Sequence, residues 1–350
     1  FFLMNKESRF VVFDIDLPAL AGNKLFNPEI ARTVSHTILP LCHLASEAKK
    51  QGIEFVTSDV YFGMPERPRN VSLISHMITP VTKKFLDSGV KPLLLISQES
   101  PIIAFRFFML LKKYSAWYPH TMMPEGFRKK VSPKTTFHTL YFPEPYSRNT
   151  RVNDNLEQKR FVTMISGNKR VPLTLKRILA GIVSGVFYRE LYKERLEIIE
   201  YFSGKDFDLY GMGWDKSIIG ETRQLREAIL GSYRGSVDDK IRTLAQYKFT
   251  FTLENTVSKG YVTEKIFDAM FAGSVPIYLG APDIADFVHK AAFIDMRDFK
   301  NYGELELYLR TMTKKRYLEY IDAINTYIQS PEYDRFSQES FARKILSLIE

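Results

Sequence analysis

Three observations predict an α/β protein built of two Rossmann-like, parallel-sheet halves. Short β-branched or aromatic runs alternate with longer amphipathic stretches, the pattern of parallel strands joined by helical crossovers. The chain has 350 residues, roughly two domains at about 150 residues each. Near its middle, Pro143, Pro145, Ser147, Arg148 and Asn149 form a polar, turn-rich segment. The boundary is placed there, within residues 143–160, giving domains 1–150 and 151–350, with the last helix expected to pack back on the first. Two such halves with a cleft between them would make a natural small-molecule site.

In the first half, strands are predicted at Phe10–Asp16, Ile53–Thr57 and Pro92–Ser97, with helices at Pro28–Gln51, Val71–Ser88 and Ile102–Lys113. The stretch Tyr114–Pro145 mixes aromatics, prolines and cations and reads as loop around one strand, Thr136–Phe142. The second half restarts with strand Arg160–Ser166 and helices Leu173–Val186 and Leu191–Phe202. Strand Asp206–Tyr210, helix Val237–Ala245, strand Lys248–Glu254, helix Thr263–Ala272 and strands Val275–Leu279 and Ala292–Asp295 follow. Helices Tyr302–Gln329 and Pro331–Ile349 close the chain.

Composition bounds the function. Hydrophobic residues make up 45% and charged residues 25%, ordinary globular values that exclude a wholly disordered chain, collagen or a coiled coil. A net charge of +9, from 49 basic and 40 acidic side chains, suits anionic partners such as nucleotides, phospholipid surfaces or nucleic acid without choosing among them. Cys42 is the only cysteine, so no intrachain disulfide or thiolate zinc site can form, and a reducing, cytoplasmic compartment is expected. The six histidines are scattered, with no H-E-x-x-H; His36 and His43 could share a helix face, but a core or surface role is the expectation, and no metal site is expected. No run reaches the ~18–20 apolar residues of a membrane helix. The longest candidate, Ile178–Tyr188, is 11 residues and contains Gly181, Ser184 and Gly185. The opening Phe-Phe-Leu-Met meets Asn5, Lys6 and Glu7 too soon for a signal peptide.

The densest chemistry lies between Lys240 and Ala281. The buried run Phe249–Leu253 ends in Glu254 and Asn255. A loop with Ser258, Lys259 and Gly260 leads through Tyr261 to Thr263, an expected N-cap for a helix with Ile266, Ala269, Met270 and Gly273 on its inward face. Glu264 and Lys265 then fall in the first turn. Two readings stand side by side: a phosphate held by the helix end and Lys265, with Glu264 on a ribose hydroxyl pair, or simple complementarity of Glu264 to the helix dipole.

Four motifs within this stretch, Tyr247-Lys248-Phe249, Leu253-Glu254-Asn255-Thr256, Tyr261-Val262-Thr263-Glu264-Lys265 and Ala272-Gly273-Ser274-Val275-Pro276-Ile277-Tyr278-Leu279-Gly280, resemble the donor-binding signature of the α-1,3/4-fucosyltransferases. Glu194-Arg195 through Phe207-Asp208-Leu209-Tyr210-Gly211-Met212-Gly213-Trp214, Gly235-Ser236-Val237-Asp238-Asp239-Lys240 and Glu99-Ser100-Pro101 are similar to three further family blocks. The resemblance covers roughly residues 90–290. It implies a GT-B fold and inverting transfer of L-fucose from GDP-fucose to a glycan hydroxyl, α-1,3 on N-acetylglucosamine or glucose, by single displacement and without a cofactor or metal. It implies Glu99 as the base, Arg195 and Lys265 as cations on the diphosphate, Glu264 on the ribose, and Asn255 and Tyr261 near the diphosphate and sugar. Lys240 and Tyr210 read first as a solvated lysine and a core tyrosine.

Other signatures fail. Tyr210–Trp214 lacks the third glycine of a dinucleotide fingerprint. Asp238-Asp239 reads as the opening of a helix rather than a D-x-D metal motif. Nucleic acid is not an expected partner, since Lys112, Lys113, Tyr114 and Trp117 read as a solvated helix end plus a cleft-lining loop. The C-terminal segment Phe341–Glu350 carries only Arg343 and Lys344 as cations, so at most weak peripheral membrane contact is expected of the protein. The rivals are a GT-B enzyme using another GDP-sugar, a nucleotide- or nucleic-acid-binding protein without turnover, and a family member that only binds glycans.

Overall fold

A computed structural model describes residues 9–68, 70–148, 150, 152, 156–169, 179–182, 185, 188–217 and 221–349. The chain divides into two units. The first comprises Phe1–Tyr146, Ala180–Val186 and Asp334–Glu350; the second comprises Ser147–Leu179 and Phe187–Tyr333.

The first unit is a sheet of six parallel strands: β1 (Arg9–Asp14), β2 (Ile53–Thr57), β3 (Val71–His76), β4 (Lys91–Ile96), β5 (His120–Met123) and β6 (Thr136–Thr139), in the order β2-β1-β3-β4-β5-β6. Its central strands are near-continuous apolar runs, with Val11, Val12, Leu73, Ile74, Leu94 and Leu95 fully buried, as expected where both faces of a parallel sheet are covered. The order reverses around β1. At that point Asp14 is fully buried and accepts from Ser58 Oγ at 3.0 Å, Thr79 Oγ1 at 2.8 Å and Thr82 Oγ1 at 2.6 Å. One carboxylate thereby fixes the loops after β2 and β3, and its oxygens are satisfied without water.

The second unit is a five-stranded parallel sheet: β7 (Arg160–Ile165), β8 (Phe207–Tyr210), β9 (Tyr247–Leu253), β10 (Val275–Leu279) and β11 (Ile294–Asp295), in the order β11-β10-β9-β7-β8. Here the order reverses between β7 and β9, which makes their carboxyl ends the expected ligand position of a doubly wound sheet. Gly211, at φ 129°, closes the turn after β8; a Cβ there would stand 2.1 Å from the Ser166 carbonyl oxygen. The closing helix Gln338–Ile349 packs on Leu39–Lys50 of the first unit, and Glu144 bonds main chain to main chain with Phe336 and Gln338.

Several expected elements differ. Val71–Ser88 is not one helix: Val71–His76 is a central strand, and only Thr82–Asp87 is helical. A short apolar run does not announce its period, and pairing with β1 and β4 decides it. His120–Met123, expected to be loop, is a strand because β4 and β6 flank it. Pro28–Gln51 breaks at Ser35, whose extended backbone (φ −167°) lets its hydroxyl cap Thr37 N. Ile102–Lys113 is two short helices, Phe105–Met109 and Leu111–Ser115. Tyr302–Gln329 splits where Thr313 caps Lys314–Gln329. An unanticipated helix, Arg223–Ser232, starts at Thr222 and buries Leu225, Ala228, Ile229 and Ser232 at helical spacing. The helix expected at Leu173–Val186 falls largely outside the described residues.

Half-buried His76 ends β3, and desolvation pushes its imidazole from 6.5 down to about 4. The unfolded chain takes up this proton at a higher pH than the folded one, so the folded state loses stability as pH falls from 6.5 through 4. His76→Asn should make that acid decline shallower, by on the order of 3 kcal/mol at full protonation. Urea midpoints measured across this range check it; equal slopes for the two proteins would refute it.

Candidate functional site at the carboxyl end of β9

β9 ends at Leu253, and the next residue, Glu254, is fully buried. Its Oε1 accepts from Thr263 N at 2.8 Å, and its Oε2 from Thr263 Oγ1 at 2.7 Å and Lys265 Nζ at 3.4 Å. Its own N–H donates to Leu279 O at 2.9 Å. The carboxylate therefore ties the end of β9 to the start of helix Glu264–Phe271 and fixes the ends of the loop 255–262. Thr263 occupies the N-cap position without capping: its hydroxyl faces Glu254 and accepts from Lys265 Nζ at 2.8 Å. The helix is buried on all sides from Ile266 to Phe271, so only its first turn can meet a ligand.

The charges interlock. Burial opposes the ionisation of Glu264, yet Lys265, with Nζ 3.2 Å from Oε1, and Lys240 hold its carboxyl far below the usual range. Desolvation works against the Lys265 ammonium, and Glu264 and Glu254 overcome it, holding the group at about 12. Glu254 goes the other way: burial raises it, and Lys265 opposes that only in part. Lys240 is not a solvated lysine. Its Nζ lies 2.5 Å from Oδ2 of the fully buried Asp268, and Asp268 and Glu264 outweigh its desolvation. Tyr210 sits apart from this group, sharing a 2.9 Å hydrogen bond with the Tyr247 hydroxyl, which donates to Asp208.

Arg195, on helix Tyr192–Phe202, is only 4% exposed. Its Nη2 donates to Leu253 O and Glu254 O, each at 2.8 Å, and to Asn255 Oδ1 at 3.0 Å. The guanidinium thus clamps the end of β9 from within. Tyr261 is buried in the loop, its N–H on Ser258 O, and Gly260 N donates to Asp283 Oδ1 at 3.0 Å. The loop's outer side is held by Arg189 O, which accepts from Thr256 Oγ1 and Val257 N, each at 2.9 Å. Arg189 itself is largely exposed and pairs with Glu194.

Arg195, Asn255, Glu264 and Lys265 therefore form one bonded group in the second unit, with Tyr261 in the loop they hold. Glu99 belongs to the first unit, half-buried in the loop after β4, its N–H on Ser97 Oγ at 3.3 Å. Sequence reasoning placed Glu254 at the strand's end but gave it no role, and it missed Asp268 and the closeness of Arg189. The signal for Asp268 was an acid inside an otherwise apolar helix; that for Glu254 was an acid directly after a buried strand.

Residues 190–342 match the family model described as "Glycosyltransferase family 10 (fucosyltransferase) C-term". The alpha-(1,3)-fucosyltransferase of Helicobacter pylori is 38% identical over 33% of this chain and 24% of its own length. The alpha-(1,4)-fucosyltransferase of Arabidopsis thaliana is 44% identical over 20% of this chain and 17% of its own. These alignments thus span about a quarter or less of the relatives' lengths. Crystal structures of an alpha1,3-fucosyltransferase, alone and with GDP-fucose, superpose with TM-scores of 0.51 and 0.50 at 17% and 16% identity; they cover 99% and 98% of this chain and 91% and 90% of theirs. The fold is of the GT-B class, with two parallel-sheet α/β units. The family-model match falls largely within the second unit and ends in the closing segment of the first.

Gly280 gives Glu254 its room. A Cβ there would stand 2.4 Å from Glu254 Cγ and 2.5 Å from the Tyr278 hydroxyl. Gly280→Ala should lower stability by about 1–3 kcal/mol, the range for overpacking. Chemical denaturation checks this; an unchanged midpoint would show that the site yields freely.

Proposed function

We propose that this chain is an inverting fucosyltransferase that moves L-fucose from GDP-fucose to a glycan hydroxyl, in carbohydrate biosynthesis that includes protein-linked glycans. The observation that carries the reading is the ionic group at the end of β9, bonded around Glu254 at the sheet's reversal point and lying within the segment that matches the fucosyltransferase family. The resembled family and the solved alpha1,3-fucosyltransferase with GDP-fucose support this donor, and the α-1,3 relative supports α-1,3 linkage.

Lys265 supplies a fixed positive charge to the diphosphate, and Glu264, kept ionised, accepts from the ribose hydroxyls. Arg195 acts from beneath. With Oδ1 held by Arg195, Asn255 presents its amide N–H groups as donors to a phosphate oxygen. Tyr261 shapes the loop near the sugar. The acceptor oxygen bonds to the anomeric carbon as the bond to GDP breaks; Glu99 takes the acceptor's proton, and GDP leaves with its negative charge met by these donors. The step calls for no metal or cofactor. The first unit takes the acceptor-side role and the second the donor-side role. Among the described residues no helix is long and apolar enough to cross a membrane.

Glu99→Gln should cut turnover by roughly 100- to 10,000-fold, the range for loss of a general base, with GDP affinity intact. A GDP-release assay with GDP-fucose against lactosamine, lacto-N-biose and chitobiose acceptors measures it. Near-normal turnover would remove Glu99 from the mechanism. Lys265→Ala should weaken GDP binding by about tenfold or more, as expected for a buried charge-assisted contact; unchanged calorimetric affinity would sink that contact.

A further inference from the structure

Between β4 and β6 the first unit carries a basic surface from which the proposed transfer draws no residue. Residues 100–138 hold seven Lys or Arg side chains and one acid, Glu125, so this stretch carries most of the chain's net charge of +9. Glu125 is already engaged, by Arg128 at 2.6 Å and Thr139 at 2.9 Å. The helical stretch Phe105–Ser115 buries Phe107, Phe108, Leu111 and Ser115 on one face. Its other face exposes Arg106, Met109, Leu110, Lys112 and Lys113. Phe108 packs edge-on against Phe127 at 4.9 Å, and Ser115 Oγ accepts from Ser132 N at 2.9 Å. Those contacts set the second basic segment, with exposed Lys129 and Lys134, beside the first.

Apolar tips accompany the charge. Ile103 is 41% exposed, Met109 37% and Leu110 43%. What marks this face is that three such tips lie among its cations. We propose that this face docks on an anionic lipid bilayer, the lysines against headgroup phosphates and carboxylates and the aliphatic tips in the headgroup–acyl boundary. A nucleic acid would satisfy the cations and leave the tips in water, which is why the lipid surface is favoured. The proposal stands apart from the transfer reaction.

The test is co-sedimentation of the whole chain with phosphatidylcholine vesicles, with and without phosphatidylserine. A cation near an anionic surface is worth about fivefold in partitioning. The wild type should bind phosphatidylserine vesicles at least about tenfold more tightly than neutral ones, with salt weakening the binding. Lys112→Glu/Lys113→Glu should lose at least about 25-fold and Met109→Ser/Leu110→Ser about tenfold, with melting temperatures unchanged. If the lysine variant melts early, Lys129→Glu/Lys134→Glu stands in for it, and Ile103→Ser does so for the aliphatic one. Equal or absent binding to both vesicles overturns the proposal. So does a Met109/Leu110 variant that binds as wild type while heparin or RNA competes, for that is general polyanion binding.

Discussion

A carboxylate with no exposure to water, Glu254, joins the end of one strand to the beginning of the next helix, and the rest of the second unit's site is arranged around that bond. Burying an ionisable acid is costly unless donors meet it. Thr263 supplies two and Lys265 a third. The loop 255–262 leaves and returns within one hydrogen-bonded frame, so its side chains are positioned before any ligand arrives. Preorganisation of this kind is what electrostatic catalysis requires.

The cations near this carboxylate differ in kind. Arg195 donates from Nη2 to main-chain carbonyls and to Asn255, which holds the end of β9 in place. Lys265 is held between Glu254 and Glu264, which favours its charged form despite burial. Lys240 supports Glu264 while pairing with Asp268 inside the protein. Because acids and bases alternate, no single charge is stranded.

The first unit uses the same device at its own sheet reversal. Asp14 follows the core of β1 and gathers Ser58, Thr79 and Thr82, as Glu254 follows β9 and gathers Thr263 and Lys265. In both, a buried acid at a strand's carboxyl end gives order to the loops that parallel topology places there. The difference is chemical. Among the described residues Asp14 bonds hydroxyls, which makes a structural knot; Glu254 also meets an ammonium, which makes a charged site.

The amino-acid sequence alone determined the α/β class, the alternation of strands and helices in the second half, and the cluster of residues after β9. Those features are local: Phe249–Leu253 is apolar throughout, and Asn255, Tyr261, Glu264 and Lys265 lie within one strand–loop–helix turn. Tertiary structure decided what depends on partners distant in the chain. Val71–His76 became a strand because β1 and β4 lie beside it, and His120–Met123 because β4 and β6 do. Arg195 lies 60 residues before Asn255 yet bonds to it, so its buried, positioning role was invisible until the helix docked on β9. Lys240 looked solvated because its partner, Asp268, is on another helix. Periodicity and short motifs record neighbours along the chain; burial and ion pairing are set by neighbours in space.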